Sequence, residues 1–600
     1  MTGLPRTESM RAFFAARDFC LRHRSNYEIA CREFTWPRLE HFNWALDYFD
    51  AVAAGNDTPA LHVVNEDGTE QIRSFATMSG RSSQVANFFL DCGVRRGDCV
   101  LVMLGNEVAL WESLLALMKI GAIVSPATGL LTADDVRERI ERGKVRCVIA
   151  GRAFVSKFQH VATPLIRIVV GGSEPGWISF DESYASSGTF DPDAPTRADD
   201  PLLLYFTSGT TAKPKMVLHT HQSYPVGHLS TLFYTGLQPG DRHWNISSPG
   251  WAKHAWSCFF TPWTAEATVF VYNYVRFHAH AILDALVRYR ITTLCAPPTV
   301  WRMLVQEPLD DYAVSLREAL SAGEPLNPAV IERVQAAWQI TIRDGYGQTE
   351  TTALVGNMPG EPIKPGSMGR PSVGMSVVLL DVDGNPSDEG EICLDLSNQP
   401  IGLMPGYFGD DGTAANAMVG GYYHTGDVAV RDVDGYLTFV GRLDDVFKSA
   451  DYRISPFEIE SALIEHDAVA EAAVVPSPDP IRHTVPKAFV ALAQGYQPTR
   501  ELAGAILSFA ANRLAPYKRV RRIEFAELPK TVSGKIRRVQ LRALERERRS
   551  QGDRSPLEFF EEDFLAQHSR RPLTQLTRLF DHGHDESNPR DARRQPDPAA

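Results

Sequence analysis

From Val100 the chain reads VLVML (100–104), ALWESLLALMKIG (109–121), AIVSP (122–126), ADDVRERIERG (133–143) and VRCVIAG (145–151). Short apolar runs rich in β-branched residues alternate with segments whose apolar residues recur at helical spacing. That order requires a parallel sheet, because successive strands running the same way need the crossover a helix supplies. The alternation returns in TVFVYN (268–273), ILDALVRYR (282–290), TTLCAPP (292–298) and a helix expected from Pro328. Between Gly366 and Gly441 the pattern changes to short alternating strands with Asp-Gly turns at Asp383-Gly384 and Asp434-Gly435, which predicts an antiparallel, barrel-like subdomain. After Arg442 come a helical segment (454–466), two strand patterns (470–477 and 487–493), a helix through Leu507 and a basic stretch, predicting a compact α+β unit.

Expected divisions are an extension over 1–38, a large α/β domain over 39–443, a small domain over 444–549 and a polar tail over 550–600. The extension places Arg6, Arg11, Arg17, Arg22 and Arg24 around Phe13, Phe14 and Phe19. It reads either as a helix packed on the body or, less well because Glu8 and Asp18 interrupt it, as a mitochondrial-type presequence. Six hundred residues with 44% hydrophobic and 22% charged residues exclude disorder of the chain as a whole. A net charge of −12 argues against a general nucleic-acid binder. The most apolar window, Cys99 to Leu131, is interrupted by Glu107, Glu112 and Lys119, so no membrane span is expected. Eight cysteines without a CxxC pair read as free thiols of a reducing, cytoplasmic-type compartment and give no zinc-site spacing.

Thr207-Ser208-Gly209-Thr210-Thr211-Ala212-Lys213-Pro214-Lys215 follows the apolar strand 202–206. Small hydroxyl residues beside glycine let amides and hydroxyls wrap phosphate oxygens, and two lysines add charge. The spacing is not that of a Walker A loop. Tyr346-Gly347-Gln348-Thr349-Glu350 offers a stacking ring, a hydroxyl and a carboxylate suited to Mg²⁺. Tyr423 to Asp427 ends in a carboxylate able to take ribose hydroxyls, Gly441 to Asp445 lies at the expected domain junction, and Pro529 to Lys535 ends in a lysine on a turn. Alone, each has a bland alternative as core tyrosine, hairpin aspartate, surface ion pair or loop lysine. Residues 513–549 hold 13 Lys or Arg against 4 Asp or Glu, a run that reads as an anion-binding face or a solvated surface.

In this order the five motifs make the chain resemble the acyl-adenylate-forming superfamily over about Phe42 to Leu544, and the medium-chain acyl-CoA synthetases within it. Phe42-Asn43, Ser248-Pro249-Gly250-Trp251, Lys448 to Arg453 and Ser477 to Pro480 carry the narrower likeness. The resemblance implies two α/β subdomains plus a distorted β-barrel, followed by a small mobile α+β domain. It implies ATP, CoA and Mg²⁺ as reaction partners, with no nucleic acid. By motif, Thr207 to Lys215 would be the phosphate loop. Gly323, Glu324 and Pro325 with Asp344, Gly345 and Tyr346 would form the adenine slot. Thr349 would hold the α-phosphate, Glu350 the Mg²⁺, and Asp427 and Arg442 the ribose, while Asp444 would be the hinge. Lys535 would reach both carboxylate and α-phosphate. Ala450, Asp451, Tyr452, Arg453, Arg482, Arg519 and Arg521 match the CoA-contacting region. Ala212 and Asp451 stand where glycine is common.

The implied reaction is ATP-dependent activation of a carboxylic acid as acyl-AMP and its transfer to CoA. Alternatives are an adenylating enzyme loading a carrier protein and a non-catalytic nucleotide-binding regulator. In acetate-specific relatives a tryptophan at the position of Gly347 closes the acyl pocket. Glycine there implies open space for a medium-chain, branched or aromatic acid, with Trp251 as a candidate wall.

Overall fold

The computed structural model describes residues 7–207, 214–409, 417–449, 452–480, 482–530 and 536–565. Two large sheets dominate; their central strands are parallel, and antiparallel strands flank them, Lys215–Thr220 in the first and Ala353–Gly356 in the second. One has the order Gly406–Tyr407, Lys215–Thr220, Pro201–Thr207, Ile123–Pro126, Cys99–Met103, Val145–Gly151, Ile166–Val170 and Ile178–Ser179. The other is nine-stranded and runs from the edge strand Arg370–Pro371 through Ala353–Gly356, Ile342–Gly347, Glu318–Ala322 and Thr293–Ala296 to Glu70–Ser74. The stretch that opens at Val100 thus builds the centre of the first sheet, with the strand, helix, strand order its sequence predicts.

The helix Val108–Ile120 is buried along its whole length apart from Ala109. A helix apolar on every side belongs inside a domain, and Trp111 donates its indole N–H to the Cys258 carbonyl at 2.7 Å. Its two charges survive burial through partners: Glu112 meets Arg81 at 3.2 Å and Lys119 meets Asp50 at 2.8 Å. No helix among the described residues is long and apolar enough to cross a membrane.

The boundary expected at residue 38 separates nothing. Helix Glu8–Arg22, capped by the Thr7 side chain, buries Phe13 and Cys20 completely in the same core as the two sheets. Phe13 meets the rings of Phe42 and Tyr48 at 5.0 and 5.1 Å. Farther along, Tyr27 and Trp36 donate to the carbonyls of Pro371 and Gly374. Arg11 and Arg22 lie on the exposed face of that helix, while Arg17 is buried with the apolar residues and held there by Glu266 at 2.5 Å.

The expected barrel is an open half-barrel. Val377–Leu380, Glu389–Asp395, Tyr422–Arg431 and Met418–Val419 form an antiparallel sheet that Leu437–Arg442 joins by pairing with Tyr422–Arg431. Its turns use Gly384 and Gly435 at φ of +81° and +82°, where a side chain would be strained. The small domain holds a four-stranded sheet, Val469–Asp479, His483–Leu492, Arg522–Phe525 and Glu558–Phe560, under helices Pro456–Ile464, Arg500–Arg513 and Arg538–Gln551. The boundary at 549 is therefore too early. Glu558–Phe560 pairs with Arg522–Phe525, and Glu558 is buried against Lys487 at 2.7 Å. Residues 566–600 of the expected tail lie outside the described residues.

Candidate active site

The ends of Glu318–Ala322 and Ile342–Gly347 and the first half of the strand Tyr422–Arg431 bring most of the predicted nucleotide residues together. Asp427 sits on Tyr422–Arg431 opposite Arg442, whose guanidinium lies 3.4 Å from its Oδ1. The Tyr346 hydroxyl and the Gln348 amide both donate to Asp427 Oδ2 at 2.6 Å. Gln348 is itself oriented by the Tyr423 hydroxyl, which donates to its Oε1 at 2.8 Å. These contacts fix the orientation of the Asp427 carboxylate. Arg442 also lies 3.5 Å from Asp444, the expected hinge residue, which is exposed.

Asp344 is buried, its Oδ1 has no hydrogen-bond partner, and burial pushes its carboxyl up to about 8. The amides of Gly345 and Leu326 and the charge of Lys253 pull the other way without cancelling that cost. Beside it, Gly323 has φ +105° and no atom within 4 Å of where a Cβ would stand, so the Gly323-Glu324-Pro325 loop leaves room for a flat ring. Gly345 is required for a different reason, since a Cβ there would come within 2.5 Å of the Tyr234 ring.

Glu350 accepts a hydrogen bond from the Tyr407 hydroxyl at 3.0 Å, and Lys215 Nζ stands 3.5 Å from that hydroxyl and over its ring. The chain Lys215, Tyr407, Glu350 links the end of the expected phosphate loop to the expected metal carboxylate. His219 supports the same segment, with one ring nitrogen 2.7 Å from the Thr349 carbonyl and the other 3.0 Å from Ser223 Oγ. Burial pushes its imidazole down to about 4, so it is neutral. Sequence reasoning missed Tyr407 and His219. Their partners are far away along the chain, and GY before a turn or a lone histidine in a strand gives no local signal.

Thr207 ends Pro201–Thr207 and pairs with Lys215 across the loop mouth. Ser208, Gly209, Thr210, Thr211, Ala212 and Lys213 lie outside the described residues, as do Ala450, Asp451 and Lys535. Tyr452 is exposed and stacks on Tyr517 at 4.4 Å. Arg482 is exposed, its backbone N–H bound to Asp479 at 2.8 Å.

Two expectations need correction. The net positive run does not leave a bare cationic face. Arg519 and Arg521 both ion-pair with Glu561, Arg538 with Glu460, Arg542 with Asp445, and Arg548 and Arg549 with Glu524, Glu545 and Glu558. Counting charge in a window overlooks acids that arrive from other elements. Nor does Gly347 mark open space: a Cβ there would stand 2.4 Å from the Thr352 carbonyl oxygen, so glycine serves the close approach of Ala353–Gly356. The apolar cavity lies elsewhere. Val102, Leu114, Met118, Tyr205, Trp251 and Phe260 are among its lining residues, His254 is its most polar wall, and Gly347 takes no part. Its interior measures about 20 Å³, room for little more than one water. Behind Tyr205, one of its walls, the tilted rings of Tyr224 and His219 pack in sequence, with centroids 4.6 Å apart for the second pair, and His219 in turn meets the Thr349 carbonyl.

The pattern of the AMP-binding enzyme family matches residues 49–408, and that of the AMP-binding enzyme C-terminal domain matches 458–535. The chain belongs to this family. It is 41% identical to 4-hydroxybutyrate–CoA ligase 1 of Metallosphaera sedula over 86% of its own length and 93% of the relative's. It is 40% identical to the human mitochondrial acyl-coenzyme A synthetase ACSM3 over 87% and 92% of the two chains. Among solved structures, the anthranilate CoA ligase AuaEII in complex with anthranoyl-AMP superposes with a TM-score of 0.77 at 28% identity, covering 85% of this chain and 98% of that one. These are AMP-forming acyl-CoA ligases. They place this family member among enzymes that handle a small acid, ATP and CoA.

Proposed function

We propose that the protein activates a carboxylic acid with an apolar body of about four to ten carbons, aliphatic, branched or aromatic, as its acyl adenylate and passes the acyl group to CoA; each added buried methylene would contribute on the order of 0.8 kcal/mol. The observation that carries the acid class is the apolar lining of the small cavity walled by Trp251. Its apolar lining gives no counter-charge to a second carboxylate or an amino group. Half-buried Trp251 is the side chain whose rotation would enlarge it. The named relatives act on 4-hydroxybutyrate and anthranilate, acids of that size range.

The unpartnered Asp344 Oδ1 beside the open Gly323 loop supports an adenine slot, since a ligand amino group would satisfy it. Asp427, held by Tyr346, Gln348 and Arg442, would receive the ribose hydroxyls. Glu350 fits a Mg²⁺ shared with nucleotide phosphates, because that ion binds through one or two carboxylates plus substrate oxygens. When bound it would offset phosphate charge. Lys215, Thr207 and Thr349 would face the phosphates, and Lys535 would bridge acid and α-phosphate. In the first step a carboxylate oxygen attacks the α-phosphorus, the bond to the β-phosphate breaks, and pyrophosphate leaves. Two anions meet there, so the ammonium groups of Lys215 and Lys535 lower the barrier by being in place beforehand. In the second step the CoA thiol loses its proton and attacks the acyl carbonyl, and AMP leaves. Asp444, exposed at the junction, is where the small domain would turn between the steps. Arg482, with Tyr452 and Arg453, would meet CoA.

A carboxylic-acid panel scored for pyrophosphate release, with and without CoA, tests this reading. Butyrate, hexanoate or benzoate should exceed acetate, and thioester should form only with CoA. Lys535→Ala should abolish the first step while still consuming supplied acyl-AMP. Acetate preferred over all three, or equal loss of both half-reactions with the fold intact, would overturn it.

A further inference from the structure

Glu391 and Cys393 stand two residues apart on Glu389–Asp395 and therefore project from one face of the half-barrel. His424 lies directly across from Cys393 on Tyr422–Arg431. One donor atom from each of the three lies within 4.8 Å of the other two. His424 Nδ1 is 2.8 Å from Glu391 Oε2 and 3.5 Å from Cys393 Sγ. A ring nitrogen has one in-plane hydrogen-bonding direction and either donates or accepts. The carboxylate and the thiol thus converge on a nitrogen that satisfies only one of them.

A cation would satisfy all three. Around tetrahedral zinc, bonds of ~2.3 Å to sulfur and ~2.0 Å to nitrogen or oxygen set sulfur and nitrogen ~3.5 Å apart and nitrogen and oxygen ~3.3 Å apart. The first separation is already met, and the second needs an opening of about 0.5 Å. The Cys393 side of the cluster is buried, whereas the side chains of His424 and Glu391 are 29% and 15% exposed, which leaves a path from solvent.

We propose that Glu391, Cys393 and His424 bind one borderline-soft divalent cation of the Zn²⁺ type, with the fourth position open to water. A sulfur, nitrogen and oxygen set disfavours Mg²⁺ and Ca²⁺, so this site is separate from the carboxylate at Glu350. Binding replaces the Cys393 thiol proton by the metal and releases that proton to solvent. The site is tied to the nucleotide cleft through the backbone. Glu391 Oε1 accepts from the Gly426 N–H at 2.7 Å, and the Thr425 hydroxyl, donating to the Ile392 carbonyl, takes the Asp427 N–H at 3.1 Å. Holding Glu391 and His424 therefore stiffens the irregular stretch of the strand Tyr422–Arg431 that carries Asp427. No short-range motif announces the triad, because the two strands contribute ligands from positions about thirty residues apart.

The test is a Co²⁺ titration of the full chain after chelator treatment, read by thiolate-to-cobalt absorption and by the intensity of the visible bands of tetrahedral Co²⁺. One equivalent should bind with a thiolate band, and Zn²⁺ should displace it. Cys393→Ser should remove the band, and His424→Gln should weaken binding by at least about tenfold. Cys31→Ser, at an exposed thiol away from the site, should leave the titration unchanged. Zn²⁺ should raise the Tm of the parent protein but not of Cys393→Ser. Absence of a thiolate band at one equivalent would overturn the proposal, and so would a band that persists in Cys393→Ser. Should Cys393→Ser fold poorly, the substitution at partly exposed His424 decides the matter, because unchanged Co²⁺ affinity in His424→Gln would also overturn it.

Discussion

Asp344, at the end of the large domain's parallel sheet, and Lys487, in the middle of the small domain's sheet, are both buried ionisable groups with opposite surroundings. Lys487 is fully buried and meets Glu545, Glu558 and Glu524 at 2.5, 2.7 and 2.8 Å, and those acids are in turn held by Arg548 and Arg549. Asp344 has backbone donors and a distant lysine, but one oxygen faces nothing. A buried polar atom left unpaired costs about 1–3 kcal/mol. Every carboxylate around Lys487 is paired with a cation, so that cluster is saturated in charge, whereas the Asp344 carboxyl has no cation within ion-pair distance among the described residues and keeps one oxygen for a ligand at the open Gly323 loop. Charge density in the sequence points to the wrong one of the two, since the basic run lies in the saturated domain.

The largest effect should come from breaking the saturated cluster. Lys487→Ala removes the cation that three buried carboxylates share, and loss of one partner of a buried pair typically costs about 3–5 kcal/mol. Urea unfolding of the full chain should show the small domain melting earlier, or the variant should fail to accumulate. A loss below about 1 kcal/mol would mean that the acids do not depend on Lys487 for compensation.

A second contrast concerns four histidines that burial keeps neutral. His219 is pushed down to about 4, and His221, His243 and His254 to about 3, each by burial. Folded, they stay neutral, whereas in the unfolded chain they protonate near pH 6.5. Stability should therefore be full above pH 6.5 and fall as pH drops, by about 1.4 kcal/mol per pH unit from each histidine, down to about pH 4 for His219. Urea midpoints at pH 7.0, 6.0 and 5.5 measure this slope. His219→Gln, which keeps polar contacts to Ser223 and Thr349 within reach, should make it shallower. An unchanged slope would show that His219 is protonated in the fold.

The sequence was legible where neighbours along the chain determine the outcome. The run from Val100 to Gly151 names its own strands and helices through periodicity, and the motifs at Tyr346 and Tyr423 converge because the first ends the strand Ile342–Gly347 and the second begins the strand Tyr422–Arg431. What was not legible was partnership. Lys215 meets Tyr407 across 192 positions. Glu561 occupies Arg519 and Arg521 from beyond the domain boundary drawn on composition. Gly347 looked like vacant pocket because a missing side chain does not say which backbone fills its place. Apart from Trp251, the apolar cavity walls gave no signal either, since Leu114 and Met118 read equally well as core.

The unpaired side of the comparison predicts a smaller, sharper effect. With its carboxyl at about 8, Asp344 is mostly protonated at pH 7 and presents one donor and one acceptor, as an asparagine amide does. Asp344→Asn should keep the KM for ATP within about twofold at pH 7, while Asp344→Ala should raise it about tenfold, the worth of one buried hydrogen bond. The raised carboxyl contributes stability below pH 4 that is lost as pH rises through 8, so Asp344→Asn should also be the more stable protein at pH 8.5. If asparagine is as poor as alanine, the site needs the carboxylate charge.

The smallest effect expected sits where the saturated domain meets its ligand. Arg519 and Arg521 share Glu561, whose side chain is 8% exposed while Arg519 remains 41% exposed. In the bound complex a CoA phosphate would compete with that carboxylate for the same guanidinium groups. Glu561→Gln keeps the shape and the hydrogen-bonding oxygen but removes the charge. If Arg519 and Arg521 face CoA, it should lower the KM for CoA by about two- to fivefold, at or below the roughly 1 kcal/mol expected of a partly exposed pair, and make it more sensitive to salt. ATP–pyrophosphate exchange measured without CoA should not change, which separates this effect from damage to the fold. If instead the KM for CoA stays put and only the Tm falls, the two arginines serve to dock the strand Glu558–Phe560. The CoA contact would then rest on Arg482 and on Tyr452 and Arg453.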